Sequence, residues 1–556
     1  MTNKLQIVVG IDFGTTYSGI AWSLTGVTDD IQVISEWPGR GNSIGQDTPG
    51  PIKQKLTRAG TSPKVPTTIC YEGGRVRWGY ELTFQKNVIS VFKRLLDEDQ
   101  QTHSIPDIFS KKLLHERGLS PREAVADYLN KLIGHGREIL RRRFGDAVQR
   151  LEIQYVLTVP SVWSDKAKDA TRLACSAAGI PLSDIYLISE PEAAALHCLR
   201  VMQPNIIQNG DIIVICDAGG GTVDVISYCI NTVSPLSLEE VTQGTGAACG
   251  SILLDTKFLA LLTELFGDTE FGQIPCISIQ AAMTCWQDTI RPNFMFDEDD
   301  DDEFQEIGHL IPLPGVEDKQ SIGLEGGFLA LDRATIKGIF EYVVKQVVSL
   351  VQSQTRDIAR SGTKAKAILL VGGFGESEYL YRRLKAACPH TPVMQPADAG
   401  AVQRGLDGNR VGKRIARCYY GVSHGSCYEP GRHRPSEADR ITWLIKKNDT
   451  ISENTPLRHP LKLHVRIHEK RSSYQNLFVC YADTAPDKVT KDAFKVCVME
   501  YDLNAVPTKL FSKKKNSKGI EYYTIDVVVQ LIPTSASLLF EMEFNGVPYG
   551  SVRAKY

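Results

Sequence analysis

Short apolar runs rich in β-branched residues alternate with amphipathic stretches through the first 400 or so residues of the chain. The apolar runs predict strands at residues 151–159, 185–189 and 212–216. The amphipathic stretches predict a helix that starts after Ser164 and another over residues 192–201. This alternation of strand and helix is typical of an α/β domain with a largely buried sheet.

Further helices extend this pattern on both sides. Ser120-Pro-Arg-Glu forms a capping box with proline at the first helical position, and it predicts an amphipathic helix that runs to about Arg143. Residues 84–96 and 332–356 also have helical periodicity, and residues 367–371 are a predicted strand. A large α/β domain is therefore expected ahead of residue 410.

The hydrophobic pattern changes near Arg410. Segments of alternating apolar and polar residues follow, and they predict antiparallel strands at residues 461–467, 477–483, 494–500, 522–531 and 537–544. We therefore predict an N-terminal domain over residues 1–410, with halves of about 1–200 and 201–410, and a mostly β module over residues 411–556.

The strongest chemical signal lies in residues 212–227. Two apolar runs flank a short turn, which predicts a strand-turn-strand hairpin, and Asp217 stands near the end of the first run. The turn itself consists of Gly219, Gly220, Gly221 and Thr222. Glycines let backbone N–H groups approach an anion closely, and a carboxylate at this place can hold Mg²⁺ through water. A single stretch of this kind is explained equally well as a glycine-rich turn without a chemical role.

A second copy near the N-terminus favours the chemical interpretation. Residues 8–18 repeat the order of apolar strand, Asp, one residue, Gly and Thr, so that Asp12 corresponds to Asp217 and Gly14 to Gly219. Two such hairpins predict a duplicated fold that binds one nucleotide between its halves. We therefore expect phosphate binding at both turns.

Composition limits the partners and the compartment. The chain has 63 Lys and Arg against 65 Asp and Glu, and the net charge of −2 gives no reason to expect nucleic acid or an anionic membrane as a partner. The first apolar run is too short for a signal peptide, and no other run approaches membrane-spanning length. The 13 scattered cysteines favour buried thiols over disulfides. We expect a cytoplasmic protein, with the nucleus as the alternative.

Two unusual segments have ordinary explanations. Residues 297–303 are a run of like charge that favours a solvated loop over a metal or partner site. Residues 37–64 are rich in Gly, Pro, Ser and Thr and predict a surface loop. Neither segment is assigned a function.

Five motifs stand in order along residues 5–410. They are Ile11-Asp-Phe-Gly-Thr-Thr-Tyr-Ser, Ile188-Ser-Glu-Pro-Glu-Ala-Ala-Ala-Leu, Cys216-Asp-Ala-Gly-Gly-Gly-Thr-Val-Asp, Leu370-Val-Gly-Gly-Phe-Gly-Glu-Ser and Pro396-Ala-Asp-Ala-Gly-Ala-Val-Gln-Arg-Gly. Together they resemble the two phosphate, two connecting and one adenosine motifs of the actin, sugar-kinase and 70-kDa heat-shock protein superfamily. The resemblance is strongest to the heat-shock chaperones, and the fourth motif resembles their divergent branch without a helical lid.

The resemblance implies a two-lobed actin-like ATPase domain of the α/β class, built from a duplicated ribonuclease-H-like fold, with ATP or ADP and Mg²⁺ between the lobes. By that resemblance Asp12 and Asp217 hold the water shell of the metal, and Asp217 is also a catalytic residue. Glu190 orients the attacking water, and Thr222 is a nearby proton acceptor. The residues implied to contact the nucleotide are Asp12, Gly14, Thr15, Thr16, Tyr17, Gly219, Gly220, Gly221, Thr222, Gly244, Gly246, Gly372, Gly373 and Phe374.

Some positions depart from the pattern of that family. Thr83 aligns with the catalytic lysine of the chaperones, and Lys86 lies three residues further on. Glu376 falls where they have an arginine that stacks on the base. Trp286 is a candidate stacking surface in its place, although a lone tryptophan is more often a core residue. Without a lysine the transition state lacks one positive charge, so a non-hydrolysing scaffold stands beside the ATPase as an alternative.

The β module suggests, by the same resemblance, a peptide-binding sandwich for unfolded or client protein segments, without a helical lid. J-domain co-chaperones and exchange factors are further implied partners. We therefore predict an ATP-binding, ATP-hydrolysing chaperone or molecular switch. A small-molecule kinase of the same superfamily is less favoured, because no general base beside an acceptor hydroxyl can be assigned.

Overall fold

The computed structural model describes residues 6–25, 31–40, 61–82, 87–97, 105–201, 207–296, 308–396, 406, 410–425, 439–453, 455–516, 519–534 and 536–553. Several sequence predictions lie outside these residues. They concern the acidic run at 297–303, Thr83 and Lys86, most of the loop at 37–64, and most of the adenosine motif after Pro396.

The chain divides into two compact units. The first consists of Met1–Trp163, Thr171–Val233 and Gly244–Gly408. The second consists of Ser164–Ala170, Ser234–Gln243 and Asn409–Tyr556. The domain boundary after residue 410 stays a prediction.

The first third of the chain supplies the first lobe of the α/β fold. Its elements are β1 (Gln6–Phe13), β2 (Tyr17–Leu24), β3 (Gln32–Val33), β4 (Val65–Pro66), β5 (Thr68–Glu72), β6 (Arg75–Trp78), β7 (Ile89–Ser90), α1 (Ile105–Glu116), α2 (Pro121–Phe144), β8 (Glu152–Val159), α3 (Asp165–Ala177), β9 (Ile185–Ser189) and α4 (Glu190–Val201). The main sheet has the order β3-β2-β1-β8-β9, with β4 beside β2. The nearly continuous apolar run of β1 is buried, as expected for a strand in the middle of a covered sheet.

The second third of the chain supplies the second lobe, and it also contains residues 234–243 of the second compact unit. Its elements are β10 (Ile212–Ala218), β11 (Val223–Val233), β12 (Leu236–Glu240), β13 (Thr245–Ala247), α5 (Ile252–Phe266), α6 (Asp268–Phe271), α7 (Cys276–Cys285), α8 (Arg291–Asn293), β14 (His309–Pro312), β15 (Leu324–Glu325), β16 (Phe328–Leu331), α9 (Arg333–Arg360), β17 (Ala365–Val371), α10 (Glu378–Ala387) and β18 (Val393–Met394). Strands β18, β17, β10 and β11 follow one another in its main sheet, and β13 pairs with β11.

The two lobes repeat one arrangement of strands. In the first lobe β1 runs antiparallel to β2 and parallel to β8. In the second lobe β10 runs antiparallel to β11 and parallel to β17. The predicted α/β class and the duplication of the fold are confirmed, and the two predicted hairpins hold corresponding places in the two sheets.

The capping box at Ser120 forms as predicted. The Ser120 hydroxyl accepts from the Glu123 N–H at 3.3 Å, and the Glu123 carboxylate accepts from the Ser120 N–H at 2.8 Å. This reciprocal pair satisfies two of the N–H groups that a helix start leaves without partners, and it fixes the first residue of α2.

The prediction of a helix over residues 84–96 is wrong for the residues of this range that the structure describes. Ile89 and Ser90 instead form β7, which pairs with β5, and Phe92–Leu96 form a short 3₁₀ helix. Asn87 and Val91 have positive φ angles of 60° and 52°. Residues of a right-handed α-helix have negative φ angles, so these two residues exclude one continuous helix over this range.

The remaining elements form a β-rich unit. They are β19 (Val411–Ile415), β20 (Tyr419–Gly425), β21 (Asp439–Ile445), β22 (Thr450–Ile451), β23 (Leu457–Arg466), β24 (Ser472–Cys480), β25 (Phe494–Asp502), β26 (Ser512–Lys515), β27 (Glu521–Pro533), β28 (Leu538–Phe544) and β29 (Val547–Arg553). One sheet has the order β21-β20-β24-β25, and the other has the order β23-β27-β28-β29 with β26 beside β27. Both are antiparallel, as predicted, and they enclose a common apolar core.

Trp286 belongs to the core of the second lobe. It is fully buried and stacks on Phe258 with a centroid distance of 4.6 Å and an interplanar angle of 1°. Its ring N–H donates to the buried Asp255 carboxylate at 2.9 Å. The alternative in which Trp286 offers a stacking surface to a base is therefore excluded, and the core interpretation is confirmed.

Within the described residues, no helix combines the length and the apolar character that crossing a membrane requires.

We expect Trp286→Ala to lower the free energy of unfolding by about 3–5 kcal/mol, because it removes a large buried ring and leaves a cavity. Urea unfolding followed by far-UV circular dichroism measures this change. The matched control is Ile277→Ala on α7, whose side chain is 65% exposed, and it should change stability by less than about 0.5 kcal/mol. Equal effects of the two substitutions would contradict a core role for Trp286.

Candidate functional site

Thr67 supports the tight turn between β1 and β2 from behind. The Thr67 hydroxyl donates to the Gly14 carbonyl oxygen at 2.9 Å, and the Thr67 N–H donates to the Thr16 carbonyl oxygen at 2.8 Å. In a planar trans peptide the N–H that follows a carbonyl points the opposite way. The N–H groups of Thr15 and Tyr17 therefore point away from Thr67.

The turn between β10 and β11 is supported in the same way. Its carbonyl oxygens at residues 219–221 accept from the N–H groups of residues 250–252, at the start of α5, over distances of 2.9–3.3 Å. The Gly219 N–H closes the turn on the Thr222 carbonyl oxygen at 3.0 Å. The N–H groups of residues 220–222 therefore point away from α5.

The two turns lie against each other. A Cβ atom on Gly220 would stand 2.5 Å from Thr16 Oγ1, and one on Gly221 would stand 2.5 Å from Thr15 Oγ1. Such distances are far below van der Waals contact, so only glycine permits this approach. The fold thus brings together the two turns that the sequence places some two hundred residues apart.

Asp217 lies beside Gly372, where β17 ends next to β10. Gly372 has a φ of +83°, and a Cβ there would stand 2.5 Å from Asp217 Oδ1 and 2.6 Å from the Ala218 carbonyl oxygen. The Phe374 N–H donates to the same Ala218 carbonyl at 2.9 Å. The turn at Gly372 therefore holds the backbone around Asp217 and leaves space for its carboxylate.

Within the first lobe, a buried ion pair joins the segment Phe92–Leu96 to the start of α4. Lys93 Nζ lies 2.6 Å from Glu190 Oε1, and the exposed fractions of the two side chains are 1% and 17%. The ammonium also lies 5.4 Å from the centroid of Phe13 and 5.3 Å from that of Trp163. Two aromatic faces and one carboxylate thus stabilise a lysine charge inside the protein.

Lys93 is held by a short, strained segment. Val91, the residue before the 3₁₀ helix Phe92–Leu96, has the left-handed conformation at φ 52° and ψ 11°, which is unfavourable for a β-branched residue. The next cation, Arg94, pairs with Asp107 at 3.4 Å, and its Cδ would stand 3.2 Å from a Cβ on Gly221. The segment therefore also contacts the second turn.

Asp12 has partners on both carboxylate oxygens. Lys64 Nζ lies 3.0 Å from Oδ2, and the Thr158 hydroxyl donates to Oδ1 at 3.2 Å. Burial by itself would raise the pKa of Asp12, but the charges of Lys64 and Lys93 hold that pKa below its usual value. Asp12 is therefore an ionised carboxylate near the first turn at neutral pH.

Asp224 is a third carboxylate at this place, and it is 1% exposed. The Val162 N–H donates to its Oδ1 at 3.0 Å, and the Ser161 hydroxyl donates to the same oxygen. Asp224 thereby joins β11 to the segment that follows β8. Hydrogen bonds of this kind favour the charged form of a buried carboxylate.

Glu190 has a pKa raised to about 7. Burial is the main cause, and the negative charges of Asp224 and Asp12 add to it, while the ammonium of Lys93 acts in the opposite direction. A carboxylate with a pKa near neutrality can accept and release a proton under physiological conditions. Such a group is a typical general base.

Gly244 and Gly246 lie at β13 beside the hairpin of the second turn. A Cβ on Gly246 would stand 2.6 Å from the Val162 side chain and 2.6 Å from the Val223 carbonyl oxygen. Glycine at 246 is therefore required by the packing of β13 on β11. Contact of Gly244 and Gly246 with a nucleotide stays a prediction.

The other predicted nucleotide contacts differ in exposure. Phe374 is 3% exposed, whereas Gly373 is exposed and has no atom within 4 Å of a Cβ position. Tyr17 is 43% exposed. Burial raises the pKa of Tyr17, and the negative charge of Asp288 adds to this, while the positive charge of Arg291 acts in the opposite direction. Tyr17 thus lies near Arg291 of α8.

Lys93 and Lys64 were missed by the sequence analysis, which sought a lysine at Thr83. The sequence feature that could have indicated Lys93 is the presence of a lysine and an arginine within the apolar run of residues 91–96. A charge in such a run is expected to have a buried partner. The partner, Glu190, is nearly one hundred residues away, and only the tertiary fold brings the two together.

Comparisons with known proteins agree with this architecture. A family model described as Hsp70 protein matches residues 84–239. Human heat shock 70 kDa protein 12A is 23% identical over 519 residues, which cover 78% of this chain and 74% of that protein. Human heat shock 70 kDa protein 12B is 24% identical over 539 residues, covering 78% and 73%. A chaperone protein HscA homolog of Acinetobacter baumannii is 22% identical over 424 residues, covering 73% and 58%.

The duplicated sheets and the paired turns define a two-lobed domain of the actin-like ATPase class, followed by a mostly β region. The matches just described show that the chain is similar, over most of its length, to proteins of the 70-kDa heat-shock protein family.

We expect Lys93→Met to lower the free energy of unfolding by about 3 kcal/mol at about pH 8, because it leaves a buried carboxylate without its cation. The loss should be smaller at about pH 6. There the carboxyl of Glu190, with its raised pKa, takes up a proton and needs no cation. Urea unfolding at the two pH values measures the difference.

The double variant Lys93→Met/Glu190→Gln tests the pair directly. Because both charges are removed, it should be more stable than the sum of the two single losses predicts. Lys366→Met, an exposed lysine on β17, is the control and should be nearly neutral. Additive losses, independent of pH, would contradict a coupled pair.

Proposed function

We propose that the chain binds ATP with Mg²⁺ between its two lobes, hydrolyses ATP slowly, and uses the nucleotide state to change its affinity for a protein client. The observation that carries this proposal is the buried Lys93–Glu190 pair beside the two turns. Similarity to the 70-kDa heat-shock protein family supports nucleotide binding in general. Hydrolysis, the metal and the client are proposals.

The two turns fit the phosphates of a nucleotide. In the first turn the carbonyls of Gly14 and Thr16 are bonded, and in the second turn those of residues 219–221 are bonded, so that the N–H groups that follow them face the other side. Such groups of N–H donors bind anions. We assign phosphate binding to the turns Gly14–Tyr17 and Gly219–Thr222. The backbone donors are the N–H groups of Thr15, Tyr17 and residues 220–222, and the hydroxyls of Thr15 and Thr16 lie beside them.

The carboxylates fit a hydrated Mg²⁺ ion. Asp12 and Asp217 lie at equivalent places, one residue before the ends of β1 and β10. Mg²⁺ in nucleotide sites keeps several waters and takes one or two carboxylates besides phosphate oxygens. When bound, the ion would neutralise charge on the transferred phosphoryl group.

Lys93 and Glu190 would perform the chemistry. The ammonium of Lys93 stabilises charge that develops on the γ-phosphoryl oxygens, because it acts in a buried site where electrostatic interactions are strong. The ionised carboxylate of Glu190 accepts the proton of the attacking water and orients that water. Asp217 and Thr222 complete the site, with the Thr222 hydroxyl as a further proton acceptor. We thus assign to Lys93 the role of the catalytic lysine, which in the related chaperones stands at the position of Thr83.

The non-hydrolysing scaffold remains the second candidate. Glu376, where related chaperones have a base-stacking arginine, is exposed, and Trp286 is in the core. Neither residue thus supplies the expected surface for adenine. A nucleotide held mainly through its phosphates can stabilise a fold without turning over.

The proposals for the client and for the compartment are transferred to this chain from its relatives. Relatives named as heat shock proteins and chaperones support client segments, J-domain co-chaperones and exchange factors as partners, and the cytoplasm or nucleus as the compartment. A ligand can shift only an equilibrium to which it couples. Equal affinity for a client with ATP, with ADP and without nucleotide would therefore contradict the switch.

The first test is a single-turnover assay with γ-labelled ATP and Mg²⁺, which follows bound label and released phosphate. We expect bound label that decays to phosphate in the wild type. Asp217→Asn should abolish the decay, and Lys93→Ala should slow it by at least about 100-fold while label still binds, because a transition-state charge is lost. Lys366→Ala on the exposed part of β17 is the control.

The outcomes separate the two candidates. Label that stays bound and intact in the wild type supports the scaffold and contradicts hydrolysis. Label that never binds overturns the nucleotide site itself. Decay that is equally fast in Lys93→Ala contradicts the role of this lysine.

The pH dependence tests Glu190 separately. Because the ionised form is the active one, the single-turnover rate at sub-saturating ATP should rise with pH through about 7 and level off above it. Glu190→Gln should abolish this rise and leave a low, flat rate. A wild-type rate that falls with pH over the same range would contradict a base at this position.

A further inference from the structure

The β-rich part of the chain has a charge opposite to that of the rest. Residues 409–556 contain 24 Lys and Arg against 15 Asp and Glu, whereas residues 1–408 contain 39 against 50. The near-zero net charge of the whole chain conceals this difference. Charge asymmetry between parts of a chain points to a partner of complementary charge.

Part of the positive charge lies along β23, an edge strand of its sheet. Among the described residues β23 pairs with β27 alone, over the ten residues Leu457–Arg466. Its even-numbered side chains are exposed, and Lys462 and Arg466 are 65% and 67% exposed. Edge strands with this much unpaired backbone are the usual places where an extended peptide adds to a sheet.

Pro460 indicates which backbone groups point toward the free edge. Proline cannot donate to a ladder, so in a sheet its nitrogen faces away from the neighbouring strand. Residues of the same parity in a strand point their N–H and C=O groups to the same side. The N–H groups of Lys462, His464 and Arg466 therefore point away from β27, toward the free edge.

The other face of β23 is apolar. Leu461, Leu463 and Val465 pack on the core of the unit but remain partly exposed. The edge thus presents cationic side chains on one face of the sheet and aliphatic side chains on the other. An added strand meets both, because its side chains alternate between the same two faces.

We propose that β23 binds an extended peptide in which acidic and apolar residues alternate, added as a strand to the free edge. Its acidic side chains lie opposite Lys462, His464 and Arg466, and its apolar side chains extend the core beside Leu463 and Val465. The inference specifies the client of the proposed function and rests on it to that extent. Peptide binding itself needs no nucleotide.

The occupant follows from the charges and the backbone. A second copy of the chain would place the same cations opposite each other, which is unfavourable for paired strands. Nucleic acid has neither the main-chain donors and acceptors nor the apolar side chains that this edge matches. The existing partners of the cations are weak competitors, because Asp526 and Glu469 lie 3.7 Å from Lys462 and Arg466 on the exposed surface.

The test is fluorescence anisotropy of a labelled peptide of alternating Glu and Val with the full chain, without nucleotide. A peptide of the same composition with all Glu residues before all Val residues is the matched probe. We expect the alternating peptide to bind at least about tenfold more tightly than the block peptide, because only it fits a strand with two faces. Lys462→Glu/Arg466→Glu should weaken its binding by about tenfold or more, because two attractive cross-strand pairs become repulsive.

Matched variants distinguish peptide binding at the edge of β23 from a general effect of charge. Lys495→Glu, at an exposed position of β25 in the other sheet, should change the affinity by less than about twofold. His464→Pro and His464→Ala lose the same side chain, but only proline removes the N–H at the edge. Proline should therefore bind the peptide about fivefold more weakly than alanine, provided both melt at the wild-type temperature.

Three results would overturn the proposal. They are no binding of the alternating peptide, equal binding of the alternating and block peptides, and equal effects of charge reversal at Lys495 and at the pair Lys462/Arg466. None of these readouts depends on ATP, so failure here leaves the nucleotide proposal intact. Absence of bound γ-labelled ATP, in turn, leaves this site intact.

Discussion

The direction of a few carbonyl groups determines how the two turns of the candidate site are arranged. Thr67 holds the carbonyls of the first turn, and the backbone of residues 250–252 holds those of the second. Because each peptide is planar, fixing a carbonyl also fixes the next N–H in the opposite direction. The outward direction of these N–H groups, on which the proposed phosphate binding rests, thus depends on hydrogen bonds from residues outside the two turns.

The same arrangement explains why the two lobes must fit closely. Thr15 and Thr16 of one turn occupy the space beside Gly220 and Gly221 of the other, with no room for a Cβ atom. A side chain at either glycine would separate the turns and change every distance in the site. The glycines are therefore required for the contact between the turns, and this requirement is compatible with the proposed binding of an anion.

Burial makes the charges of the site effective and costly at once. Lys93 carries a full positive charge within an apolar run. Val91, two residues before it, has a backbone conformation that is unfavourable for valine. Strain and desolvation of this kind are tolerated when the surrounding structure fixes them, and they are common at functional sites. The pair with Glu190 offsets the desolvation, and it leaves Glu190 with a pKa close to neutral.

Much of this could be predicted from the sequence, because it depends on local order along the chain. The α/β alternation, the capping box at Ser120, the two hairpins and the antiparallel β region follow from periodicity and turn residues, and all are found in the structure. The resemblance in five ordered motifs likewise predicted the family whose members match this chain. What only the tertiary structure decided are pairings between distant residues. No local pattern tells that Lys93 meets Glu190, that Trp286 is in the core, or that β23 is an edge strand. Those outcomes depend on which surfaces are buried against each other, and burial is a property of the whole fold.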